Sequence, residues 1–62
     1  MSPRTWPRAL IVKRLKIIGI RQATIARQTQ LSQGYVCKVI ARVVSPTAAT
    51  ERVWKALEEA LR

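Results

Sequence analysis

The sequence predicts an all-α fold: a compact domain of four to five short helices with a helix-turn-helix at its centre. Three observations predict it. Apolar residues recur at helical spacing through most of the chain, the Val43-Val44 pair is too short a run for a strand, and glycine, proline and serine punctuate the pattern where helices should start and stop. A chain of 62 residues is one small domain. Such a domain buries only about 60% of the surface its unfolded form exposes, so helix packing has to supply the core.

Met1 to Thr5 are polar and short, and read as a flexible basic arm carrying Arg4; the folded domain then covers residues 6–62. The first helix starts near Trp6 and Pro7, since proline suits a first turn where its missing N–H has no helical partner. It runs to Ile18 on a stripe of Ile11, Leu15 and Ile18, with Lys13, Arg14 and Lys16 on its other faces, and Gly19 ends it. The second helix spans Gln22 to Thr29. Near its middle, Ile25 faces the core and the small Ala26 lets the next helix cross closely, while Leu31 plugs the turn.

The third helix spans Gln33 to Arg42. Ser32 stands before it as an N-cap, its hydroxyl able to accept from an otherwise orphaned amide. Val36, Val39 and Ile40 form its buried stripe, which leaves Gln33, Gly34, Cys37, Lys38 and Ala41 facing outward. Ser45 and Pro46 mark the cap and first turn of a last helix that runs to Leu61, with Thr50, Val53, Trp54, Leu57 and Leu61 on one side. Its alanines and Glu/Lys pairs favour helix.

Charge is distributed unevenly. Residues 1–50 hold Arg4, Arg8, Lys13, Arg14, Lys16, Arg21, Arg27, Lys38 and Arg42 and no acid, whereas Arg52, Lys55 and Arg62 balance Glu51, Glu58 and Glu59 in the remainder. The net charge of +9 therefore sits in the first fifty residues. A one-sided field of this kind attracts a polyanion and makes binding fall steeply with salt. Acidic membrane surfaces would be attracted too, so the helix pattern has to name the partner.

A helix-turn-helix places its second helix in the major groove of double-stranded DNA. On that reading the outward residues Gln33, Gly34, Cys37 and Lys38 are the base-reading candidates. The Gln33 amide can pair bidentately with adenine, Lys38 can reach guanine or a phosphate, and Gly34 permits close approach. Cys37 is read as a small side chain beside DNA. Arg21, at the start of the second helix, opposes the helix dipole unless a phosphate sits opposite it. Arg27 and Arg42 would clamp flanking phosphates, Arg4 and Arg8 would reach phosphate or minor groove from the arm, and Ser32 would join them at the turn. Tyr35 is open between a backbone contact through its hydroxyl and half-buried packing. Trp6 and Trp54 read as packing residues. A module this small usually binds paired half-sites as a homodimer, for which Trp54, Leu57 and Leu61 of the last helix are the candidate contacts.

With one helix ahead of the motif and one after it, residues 6–61 resemble the lambda-repressor-like family of DNA-binding domains. Within it the chain is most similar to the small Ner-type regulators of transposable phages, through Trp6, Arg8 and Ala9 and through Ala26, Arg27 and Gln28. Leu31, Ser32, Gln33, Tyr35 and Val36 match a run common at the turn and recognition helix of such regulators. The resemblance implies that Gln22 contacts phosphate and supports Gln33 as it reads a base, and that the protein is a phage-type repressor on a dyad-symmetric operator. Two positions depart from the pattern: Gln30 stands where the turn usually has glycine, and Thr29 where an apolar residue is usual.

Other functions are weighed against this one. An antitoxin-type or other DNA-binding partner protein would use the same fold, and the Arg52-Val53 and Ala56-Leu57 spacing is similar to that of lac-repressor-type headpieces. A cationic membrane-active peptide would form its helices only on lipid. An enzyme is not expected, because the chain has no histidine or aspartate and its three glutamates lie on a charge-balanced terminal helix. Cys37 is alone, which excludes an intrachain disulfide and a zinc site, and no cofactor, metal or small-molecule effector is expected. No apolar run approaches about 18 residues and no signal peptide is recognisable, so a cytoplasmic, nucleoid-associated protein is expected.

Overall fold

Three successive helices end in the same way, and that repeated ending sets the fold. The computed structural model describes residues 2–62 as four α-helices, α1 (Arg8–Ile18), α2 (Gln22–Thr29), α3 (Gln33–Ala41) and α4 (Ala48–Ala60), preceded by a 3-10 turn at Pro3–Thr5. Gly19, Gln30 and Arg42 follow α1, α2 and α3 in the left-handed conformation, with φ of 79°, 60° and 61°. After each, the next amide closes back on the helix: Ile20 N–H on Leu15 O at 2.9 Å, Leu31 N–H on Ala26 O at 2.9 Å, and Val43 N–H on Lys38 O at 3.1 Å. These Schellman-type closures satisfy carbonyls that the helix ends would orphan and turn the chain sharply. Gly19 adopts its conformation freely, whereas Gln30 and Arg42 carry the steric cost of a Cβ.

The core is the apolar stripe of each helix: Ile11 and Leu15 from α1, Ile25 and Ala26 from α2, Val36, Val39 and Ile40 from α3, and Val53 and Leu57 from α4. α2 and α3 make the most extensive contact of any two helices, Ala26 on α2 is buried, and α2 also packs on α4. Among the described residues two buried ones are polar, and both are satisfied. The Thr29 hydroxyl donates to Ile25 O at 2.9 Å, lying also 3.1 Å from Ala26 O, so the departure from an apolar residue leaves no orphaned group in the core. Thr50 belongs to the cap of α4.

Four boundaries or faces differ from the sequence reading. α1 begins at Arg8 with Pro7 as its extended N-cap. Ile18 was expected inside but is 48% exposed, because the left-handed turn at Gly19 swings Ile20 onto the core instead. α3 ends at Ala41, with Arg42 as its left-handed cap. α4 starts at Ala48 and is capped by Thr47, not by Ser45 before Pro46. The choice of cap has a physical cause. Thr47 Oγ1 accepts from Thr50 N–H at 3.4 Å and Thr50 Oγ1 accepts from Thr47 N–H at 2.7 Å, a reciprocal capping box. A cap at Ser45 would have had Ala48 in that place, with no side-chain acceptor to return.

The N-terminal segment is the largest departure. Met1 lies outside the described residues, but Pro3–Thr5 form a 3-10 turn packed on α4 instead of a flexible arm. Pro3 is buried, and the Ser2 hydroxyl donates to Glu58 Oε1 at 2.8 Å. Among the described residues no helix is long and apolar enough to cross a membrane.

Candidate nucleic-acid interface

The first turn of α3 is open to solvent and built around Ser32, whose hydroxyl accepts from Tyr35 N–H at 3.1 Å. With no acid in that turn, the helix dipole presents partial positive charge outward beside Gln33 and Gly34, both exposed. Lys38 is exposed one turn further along, and Cys37 between them is half-buried. A Cβ added at Gly34 would meet nothing within 4 Å, so no contact inside the protein requires glycine there.

Gln33 opens onto a groove of about 550 Å³ shared with Gln22 and Arg21 at the start of α2 and with Lys16 near the end of α1. The two glutamines that the resemblance pairs thus line one surface. Arg21, the N-cap residue of α2, makes no side-chain capping bond and is exposed. Arg27 is exposed on α2, and Arg8 is exposed on α1 itself, not on an arm. Lys16 was assigned no role from sequence; its position three residues before Gly19 was the available signal, because the turn there leads directly into Arg21 and Gln22.

Four expected contacts lie elsewhere. Arg4 is engaged on α4: its Nη1 donates to Glu51 Oε1 at 2.9 Å, its Nη2 to Glu51 Oε2, and its Nε to Glu58 Oε1 at 3.2 Å. The Glu51 hydrogen bonds, with Glu58 behind them, raise the Arg4 guanidinium above the ordinary arginine value. Arg4 in turn holds Glu51 below the usual carboxylate range, and the Ser2 hydroxyl with Arg4 does the same for Glu58. Arg42, though exposed, is engaged by the fold: its Nη2 donates to Arg4 O and to Trp6 O, each at 2.6 Å, and its guanidinium lies over Trp54. The Tyr35 hydroxyl lies 3.4 Å from Thr47 Oγ1, which favours the half-buried packing role. Leu57 is fully buried, so it offers nothing to a second copy, and Trp54 and Leu61 are half-buried against the core. The large apolar side chains that are exposed among the described residues are Ile17, Ile18 and Val43.

Removing Arg4 and Arg42 from the interface leaves a more compact set of candidates. Gln33, Gly34 and Lys38 project from α3, Arg21 and Gln22 flank them from α2, and Lys16 closes the groove from α1. Compared with known proteins, the chain matches no family model, no curated protein and no solved structure.

Proposed function

We propose that the protein is a sequence-specific, double-stranded DNA-binding transcriptional regulator of the lambda-repressor-like, helix-turn-helix type, acting as a repressor with α3 in the major groove. The observation that carries this reading is the groove in which Gln33, exposed at the open start of α3, meets Gln22, Arg21 and Lys16. A glutamine amide at the first turn of a helix, flanked by cations and by helix N-terminal amides, has the chemistry to pair with adenine while phosphates are held on either side. The acid-free first fifty residues support a polyanionic partner independently. Gln33, Gly34, Cys37 and Lys38 face the bases in this reading, and Arg21, Gln22, Arg27 and Ser32 face the backbone. Arg4 and Arg42 hold the fold together instead.

Two copies on a dyad-symmetric site would double the few base contacts one copy can make. Selection of bound duplexes from a random pool at near-physiological salt tests the reading. Enrichment of a short dyad-symmetric sequence is the expected result, and recovery of no motif would reduce the protein to a nonspecific basic binder.

A further inference from the structure

The groove beside Gln33 does not stop at α1. A second open depression of about 550 Å³ runs along α1 between Arg8, Val12, Lys13 and Lys16, and Val12 and Lys16 line both. Arg8, Val12 and Lys16 stand at i, i+4 and i+8, so they form one row on the helix surface. Arg8, Lys13 and Lys16 are exposed, short Ala9 lies beside them, and no acid lines either depression. Among the described residues the ion pairs are those of Arg4, so none draws on this row. At 1.5 Å per residue the row is about 12 Å long, the axial rise of roughly three to four phosphates on one DNA strand.

We propose that this row is a phosphate track: α1 seats the DNA backbone that flanks the bases under α3, with Arg8, Lys13 and Lys16 as its contacts. The inference rests on the DNA-binding reading above. Two features commit the row to the same duplex: its charge is uniformly complementary to phosphate, and it is continuous through Val12 and Lys16 with the groove at Gln33. The contacted DNA then extends beyond the base-read site on the α1 side, and affinity depends on phosphates whose bases are never touched.

The probe is a duplex recovered by selection, presented about 20 base pairs long and again trimmed to its base-contacted core, with binding followed by fluorescence anisotropy between about 50 and 200 mM salt. On the long duplex, K13Q/K16Q should reduce the slope of log affinity against log salt by about 1.8, since each phosphate contact contributes about 0.9. Trimming should reduce the wild-type slope by about 2.7 and that of K13Q/K16Q by only about 0.9, the share left to Arg8. K13R/K16R should retain the wild-type slope, and R52Q/K55Q on α4 should leave it unaltered. The trimming experiment on the wild-type chain stands whether or not any variant folds. Equal effects of trimming on wild type and K13Q/K16Q would overturn the track while leaving DNA binding intact. Failure of the wild-type chain to bind any selected duplex would instead remove the reading on which the track rests.

Discussion

The Arg42 guanidinium lies 5.3 Å from the centre of the Trp54 ring while its Nη2 reaches the carbonyl oxygens of Arg4 and Trp6. One side chain thereby joins the end of α3 to α4 and to the N-terminal turn, and Arg4 completes the junction through Glu51 and Glu58. The cation that ends the recognition helix in the proposed function is a fastener of the fold, and it has a defined energetic consequence.

Arg42→Ala should lower stability by about 1–2 kcal/mol, through loss of the hydrogen bonds to two carbonyls and of the cation–π contact. Arg42→Lys should recover only part of it, since an ammonium lacks the planar fork that serves two acceptors at once. Urea denaturation measures both. Salt-dependent duplex binding should keep its wild-type slope in Arg42→Ala; a slope lower by about one contact would return Arg42 to the phosphate-binding set.

The Arg4 junction predicts an acid-sensitive component of stability. Glu51 and Glu58 have folded-state values below the ordinary carboxylate value of about 4.3. Their contribution is therefore fully present above that ordinary value and is lost as pH falls through the lower folded ones. Thermal melts should show the melting temperature declining below about pH 4.3, and E51Q/E58Q should flatten that decline. An identical decline in the double variant would mean that other groups control it.

Gly34 separates folding from binding. With nothing within 4 Å of an added Cβ, Gly34→Ala should stabilise α3 by about 0.5–1 kcal/mol. If α3 approaches DNA closely there, the same methyl should weaken duplex binding several-fold. Melting and anisotropy on one variant read both effects, and undiminished affinity would place the DNA further from the start of α3.

Gln30 holds φ of 60° between α2 and α3. Gln30→Gly should be neutral to stabilising by up to about 1 kcal/mol, because relief of the Cβ clash exceeds the added freedom of the unfolded chain. The β-branched Gln30→Val should be destabilising by about 1–2 kcal/mol. Chemical denaturation gives the order, and the reverse order would mean that the turn changes conformation to suit its residue.

Local signals made the middle of the chain legible. Gln22 and Thr29 were placed correctly as the ends of α2, and Val36, Val39 and Ile40 as the buried stripe of α3, because helical period and adjacent turn chemistry decide such features. Arg4 and Arg42 were misread for the opposite reason. Their partners Glu51, Glu58 and Trp54 stand far along the chain, and from sequence each arginine was one more cation in an acid-free stretch. Ser45 and Thr47 were rival caps two residues apart, and the decision lay with a buried hydroxyl on Thr50. Ile18 obeyed the period yet was displaced by Ile20, since the period ends where the left-handed Gly19 begins. Within the candidate site, Gln33 could be picked out by type and position and Gln22 through the family resemblance, whereas Lys16 required the turn that folds α1 back beside them.

The most direct test of the central claim is base discrimination by Gln33. Affinities of the wild-type chain, Gln33→Ala and Arg27→Ala are measured on a selected duplex and on each of its single-base-pair variants. Gln33→Ala should erase discrimination at one position of each half-site, worth about 1–3 kcal/mol, while Arg27→Ala weakens every duplex alike. Uniform weakening by Gln33→Ala, with discrimination intact at every position, would contradict the assignment of α3 as the helix that reads the DNA.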